Sequence, residues 1–190
     1  VKKLFFIDLE MTGLDVETNR IIEVAVLITD LKFNILERYT RVVACPREYI
    51  DKMDAWNRDT HGKSGLINEI PRGKNLAEVE MEMGNLAKRH FPDEKIILCG
   101  NSISLDKLFL QKYMPRFSQH LHYRIIDISS FKAIFQWVLD VRFGRSESHR
   151  ALEDAEQALT ELKLYLSLLD RAKVPALASI QGLFDPKLLS

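Results

Sequence analysis

The chain has 190 residues, with 27 basic and 27 acidic side chains and a formal net charge of zero. That length suits one domain with a full core, and net neutrality argues against a long phosphate-tracking groove as the main source of affinity for nucleic acid, without excluding a local basic patch. No apolar stretch reaches the roughly 18 residues needed to span a membrane. The run after Val1-Lys2-Lys3 ends in acids, as no signal peptide does, so a cytoplasmic compartment is expected. Two cysteines, Cys45 and Cys99, are too few and too isolated for a metal cluster or a disulfide framework and read as reduced, buried thiols.

In chain order, residues 4–9 read as a buried strand, broken by Thr12-Gly13-Leu14-Asp15. Residues 21–29 and 35–44 form two further β-rich runs around a turn between Asp30 and Asn34. Three early strands in meander order predict a sheet that is at least partly antiparallel. Residues 51–60 and 76–90 look helical, 95–99 is a short apolar strand, 104–113 a helix, 124–126 a fifth strand and 129–138 a helix. Ala151, Ala155, Ala158, Leu159, Leu162, Leu166 and Leu169 then recur at helical spacing and mark the face of a last long helix. This order predicts an α/β sandwich over residues 1–170, built on a mixed central sheet of about five strands flanked by helices. Residues 171–190, with Pro175, Gly182 and Pro186, read as a C-terminal tail.

The pattern is violated where it matters. Phe5-Phe6-Ile7-Asp8-Leu9-Glu10 puts two carboxylates at the end of a strand that should be buried, and an unpaired buried carboxylate costs several kcal/mol. Residues i and i+2 of a strand share a face, so Asp8 and Glu10 should project together, about 7 Å apart. Paired hard oxygen ligands on a rigid edge suit Mg²⁺ or Mn²⁺. Asp106 lies just inside a helix that follows a strand; His149 precedes the last helix, and Asp154 lies within it, beside the apolar stripe. Taken singly, each has a plainer reading: a solvent-facing edge pair, an acid placed by the helix dipole, a capping histidine.

As a set, Asp-x-Glu, a mid-chain Asp and His-x4-Asp resemble the three motifs of the DEDDh family of 3′→5′ exonucleases. The segments Phe6–Asp15, Met53–Asn57, Thr60-His61, Cys99–Ile103 and His122–Ser129 are similar to oligoribonucleases within that family, over roughly residues 4–170. One departure is Glu153-Asp154, where the family commonly has Asp-Asp; the second acid is the expected ligand. The resemblance implies a ribonuclease H-like fold, with Asp8, Glu10, Asp106 and Asp154 holding two divalent ions (Mg²⁺ or Mn²⁺) and His149 acting as general base.

The resemblance also implies a substrate site. Leu14 and Trp56 would wedge and stack the two bases, and His61 would lie near the sugar-phosphate. Ser102, Arg124 and Ser129 would cap a 5′-phosphate, and Tyr123 would reach in from the second subunit of a homodimer. The activity so implied is 3′→5′ hydrolysis of short oligoribonucleotides, chiefly dinucleotides, to 5′-mononucleotides. A DEDDh exonuclease of the RNase T or proofreading type, acting on longer RNA or DNA ends, is the alternative. A binding module without catalysis would usually have lost a carboxylate, and none is missing. On residue type alone Trp56 reads as core, Arg124 equally as a surface ion-pair partner, and Glu23, an acid inside a strand, as structural or as a support for the ligands.

Overall fold

A computed structural model describes residues 2–138, 140, 144 and 149–168. The expected tail 171–190, and Leu169 of the helical stripe, lie outside the described residues. Five strands build one mixed sheet: β1 (Lys3–Met11), β2 (Ile21–Asp30), β3 (Ile35–Val42), β4 (Ile96–Gly100) and β5 (Leu121–Asp127). Their order across the sheet is β3-β2-β1-β4-β5. The β1–β2–β3 meander is antiparallel, whereas β4 runs parallel to β1 and β5 parallel to β4. The mixed sheet expected from the sequence is present.

The helices are α1 (Arg47–Asp51), α2 (Ala55–Lys63), α3 (Leu66–Glu69), α4 (Leu76–His90), α5 (Ile103–Tyr113), α6 (Pro115–Ser118), α7 (Ile128–Val138) and α8 (Ala151–Ser167), with a 3-10 turn over Ile70–Arg72. The single helix expected over 51–60 is instead two. Asp54 takes an extended conformation (φ −64°, ψ 169°) and its carboxylate accepts the Asn57 N–H at 2.8 Å. An acceptor so placed caps a new helix rather than continuing the old one. A second correction concerns the cysteines: Cys99 is buried but Cys45 only half-buried, and both are free thiols.

Alternation along β1 sorts the core into two layers. Phe5, Ile7 and Leu9 face one side, where they pack with Val79 and Met83 of α4 and Phe109 and Leu110 of α5. Phe6 faces the other, against Leu27, Cys99, Ile128 of α7, and Ala155, Ala158, Leu159 and Leu162 of α8. Three small residues on α8 (Ala151, Ala155 and Ala158) are buried, and their lack of bulk lets the helix lie close over β1 and β2. Glycine is required where β4 meets β1, since a Cβ on Gly100 would stand 2.7 Å from the Ile7 carbonyl oxygen. Asp8 and Glu10 therefore continue the face that α8 covers, at the end of the central strand.

Candidate active site

Two adjacent elements make the acidic centre. Asp8 and Glu10 project from β1 beneath the first turns of α8, and Asp154 comes down from that helix, only 7% exposed. One carboxylate oxygen from each lies within 4.8 Å of the others. Carboxylates this close repel unless a cation or protons lie among them, and hard oxygen donors at such spacing fit a divalent ion. Glu153, the neighbour of Asp154, is exposed. The register of the β1–β2 pair shifts between Glu10 and Met11, and bulges of this kind re-aim strand ends beside active sites.

Asp106 stands outside that trio. It lies in the first turn of α5, 6% exposed, and its Oδ1 accepts the Leu9 N–H at 2.9 Å. Burial pushes its carboxyl well above the usual carboxylate range, with the nearby Asp127 charge adding to the shift. It is thus fastened to the strand that carries Asp8 and Glu10, one residue from each.

His149 sits immediately before α8 with φ +48°, a left-handed conformation that costs a non-glycine residue of order 1 kcal/mol. Its ring meets the indole of Trp56 edge-on, at 5.6 Å between centroids. Trp56, in the first turn of α2, is 62% exposed, and Leu14, in the turn after β1, is 71% exposed. Neither is core, so the plainer reading of Trp56 does not hold. His61, also on α2, is fully enclosed. Its Nε2 lies 3.0 Å from the Met11 carbonyl oxygen, so that nitrogen carries the proton. Its Nδ1 is 3.9 Å from Glu10 Oε2 and has no hydrogen-bond partner among the described residues. Desolvation is the largest effect on the ring and holds its pKa below the usual value.

A second group forms at the start of α5 and α7. Ser102, left-handed at φ +50°, donates its N–H to Asp127 Oδ1 at 3.1 Å and to Ser129 Oγ at 3.2 Å. Ser129 in turn donates its N–H and Oγ–H to the same Asp127 oxygen. Ser102 and Ser129 are therefore neighbours, as expected. Arg124 is exposed on edge strand β5, its guanidinium 5.4 Å above the Tyr123 ring, and it forms no ion pair among the described residues. The structure brings it into no hydrogen bond with either serine. Tyr123 itself is 74% exposed and stacks on His122 at 4.4 Å.

The sequence reading passed over one residue of this region and undervalued another. Arg150 follows His149 and donates from Nε and Nη2 to the carboxylate of Glu23 at 2.8–3.2 Å. Its Nη1 and Nη2 reach Glu69 at 2.8 and 3.2 Å. The buried Glu23 also accepts the Ala151 N–H at 3.0 Å. The available signal was an acid in the middle of an apolar strand, but its partner became identifiable only in three dimensions.

The RNase T exonuclease family profile matches residues 5–162. The human protein "Oligoribonuclease, mitochondrial" is 39% identical over 179 residues, which span 91% of this chain and 76% of that one. The oligoribonuclease of Alkalilimnicola ehrlichii is 42% identical over 168 residues, 85% of this chain and 86% of that protein. In fold, the zinc-bound form of Escherichia coli exonuclease I with single-stranded DNA superposes with a TM-score of 0.70 at 17% identity, covering 89% of this chain but only 41% of that larger one. The name of the human relative places that protein in mitochondria. Among the described residues, no helix here is long and apolar enough to cross a membrane.

Proposed function

This chain belongs to the oligoribonuclease family of exonucleases, and on that basis we propose that it hydrolyses short oligoribonucleotides from the 3′ end to 5′-mononucleotides, with dinucleotides as its chief substrate. The observation that carries this reading is the convergence of Asp8, Glu10 and Asp154 at one sheet end. Asp8, Glu10 and Asp154 would hold divalent metal, Mg²⁺ or Mn²⁺, with Asp106 completing the set. Such ions, when bound in a pair, neutralise charge on the phosphate and make water a competent nucleophile near neutral pH.

The remaining chemistry belongs to side chains. His149 takes a proton from the attacking water, a role suited to an imidazole, whose ordinary pKa lies near neutrality. Trp56 and Leu14, large apolar groups left in water, supply faces for the two bases. Stacking of this kind contributes about 1–3 kcal/mol per base and tolerates any sequence. His61, enclosed beside Glu10, would lie near the sugar-phosphate. Ser102, Ser129 and Arg124 cap a 5′-phosphate, for which the guanidinium fork is well matched. In a homodimer, Tyr123 completes the site of the neighbouring copy.

The test is turnover of 5′-phosphorylated RNAs of two to seven nucleotides, with Arg124→Ala assayed alongside. Fastest cleavage of the dinucleotide, crippled by the substitution, is expected. Equal or faster turnover of the longer chains, with Arg124→Ala neutral, would instead favour an exonuclease of the RNase T or proofreading type.

A further inference from the structure

In the β1–β2 register Glu10 lies directly opposite Glu23, so the two carboxylates share a face of the sheet. Like charges in such a pair are destabilising, and Glu23 is only 2% exposed. Yet Glu23 is not one of the three acids that converge. Both of its oxygens are taken: Arg150 grips them from Nε and Nη2, and Oε2 also accepts the first N–H of α8 from Ala151. Arg150 has no side-chain capping bond of its own to offer that helix. The carboxylate from β2 supplies what a capping side chain normally would. A second arm runs from Arg150 to Glu69, whose side chain is about half exposed.

This clamp grips the two residues directly after His149, the residue held at φ +48°. We propose that Glu23, acting through Arg150, is the positioning residue for His149: it fixes the left-handed lead-in to α8 and so aims the imidazole, while being kept out of the metal site by the guanidinium. The two arms are unequal. Glu23 is buried and anchored in the central sheet, so its arm is less screened by salt although Arg150 is part-exposed; the Glu69 arm is more exposed and more screened. The inference rests on the reading of His149 as general base.

The test combines kinetics with a measurement that needs no substrate. Glu23→Gln keeps an acceptor for Ala151 but loses the charge that holds Arg150. A misplaced catalytic group costs up to about 100-fold, so kcat on a dinucleotide should fall about 10- to 100-fold with KM within about twofold. Glu69→Gln should stay within about threefold, as exposed ion pairs contribute little. In a His149→Ala background, Glu23→Gln should have almost no further effect, because the two changes act on one function. A loss that ran through the metal carboxylates would persist there and would overturn the proposal. In metal-free protein, the His149 Cε1–H resonance should shift and broaden in Glu23→Gln while that of His61 stays put; an unmoved His149 signal overturns the proposal equally. If Glu23→Gln does not fold, Arg150→Lys, which keeps the charge but loses the fork, carries the same expectations. Full activity of His149→Ala alone would sink the general-base reading, and the resonance would still report on the clamp.

Discussion

Asp154 is a carboxylate set among Ala151, Ala155 and Ala158 on the buried stripe of α8. Glu153, one residue earlier, points to solvent, so rotation about the helix axis brings one acid to Asp8 and Glu10 and leaves the other at the surface. A buried acid on an apolar stripe is retained only where something compensates its charge. The expected behaviour follows from the geometry of the trio. Adding Mg²⁺ or Mn²⁺ to EDTA-treated protein at about 100 times Kd should stabilise it by about 2.7 kcal/mol, which raises Tm by roughly 5–10 °C for a chain of this size. Asp154→Asn should flatten that rise and lower the rate of hydrolysis by about 100-fold or more, since even the partners of metal ligands cost 10–100-fold when changed. Thermal melts with and without EDTA check the first part and dinucleotide turnover the second. The acids were legible in the sequence because they break the strand and stripe patterns around them. The orphaned Nδ1 of His61 was not legible, because it depends on a contact between α2 and the Met11 carbonyl fifty residues away in the chain.

At the level of elements, α2 shows what sequence patterning can and cannot place. The strands β1, β2 and β4 were readable because each is a largely apolar run, and α8 because its stripe keeps helical spacing. The boundary of α2 was not: residues 51–60 contain no Gly or Pro, so nothing but the capping chemistry of Asp54 divides them. That division has consequences for the site, since α2 carries both Trp56 and His61. Asp54 accepts the Asn57 N–H at 2.8 Å and its side-chain amide at 2.7 Å. Asp54→Ala should therefore cost about 1 kcal/mol, seen as a fall in Tm of about 2–4 °C. With the first turn of α2 frayed, KM for a dinucleotide should rise through Trp56, while kcat, which the proposed mechanism assigns to the acids and His149, should change little. Equal loss in both parameters would mean that α2 supports the reacting groups as well as the bases. The cap of α8 escaped the sequence for a different reason: it is Glu23, which comes from β2, and only the sheet register brings it there.

For the whole molecule, zero net charge conceals one local concentration of acid. Three acids converge at the end of β1 and the start of α8, Arg150 beside them is paired with Glu23 and Glu69, and several cations elsewhere are paired too: Arg38 with Glu156, Arg89 with Glu37 and Lys112 with Glu17. The pairing also joins layers. Glu82 of α4 accepts hydrogen bonds from Lys74 and from Tyr39 and Arg41 of β3, tying an edge of the sheet to the helix beside it. The Lys74 hydrogen bond, followed by those of Tyr39 and the charge of Arg41, holds the Glu82 carboxyl below its ordinary 4.5. A carboxylate depressed in the folded state contributes stability that is fully present above its unfolded pKa and is lost as pH falls through the lower folded value. Wild type should therefore melt higher than Glu82→Gln by a constant margin at neutral pH. That margin should shrink as pH drops below about 4.5, the usual carboxylate range. Calorimetry of both proteins between neutral and strongly acidic pH checks it. A margin that widened toward acid would mean that Glu82 is protonated in the fold, and that Tyr39 and Arg41 hold β3 to α4 without its charge.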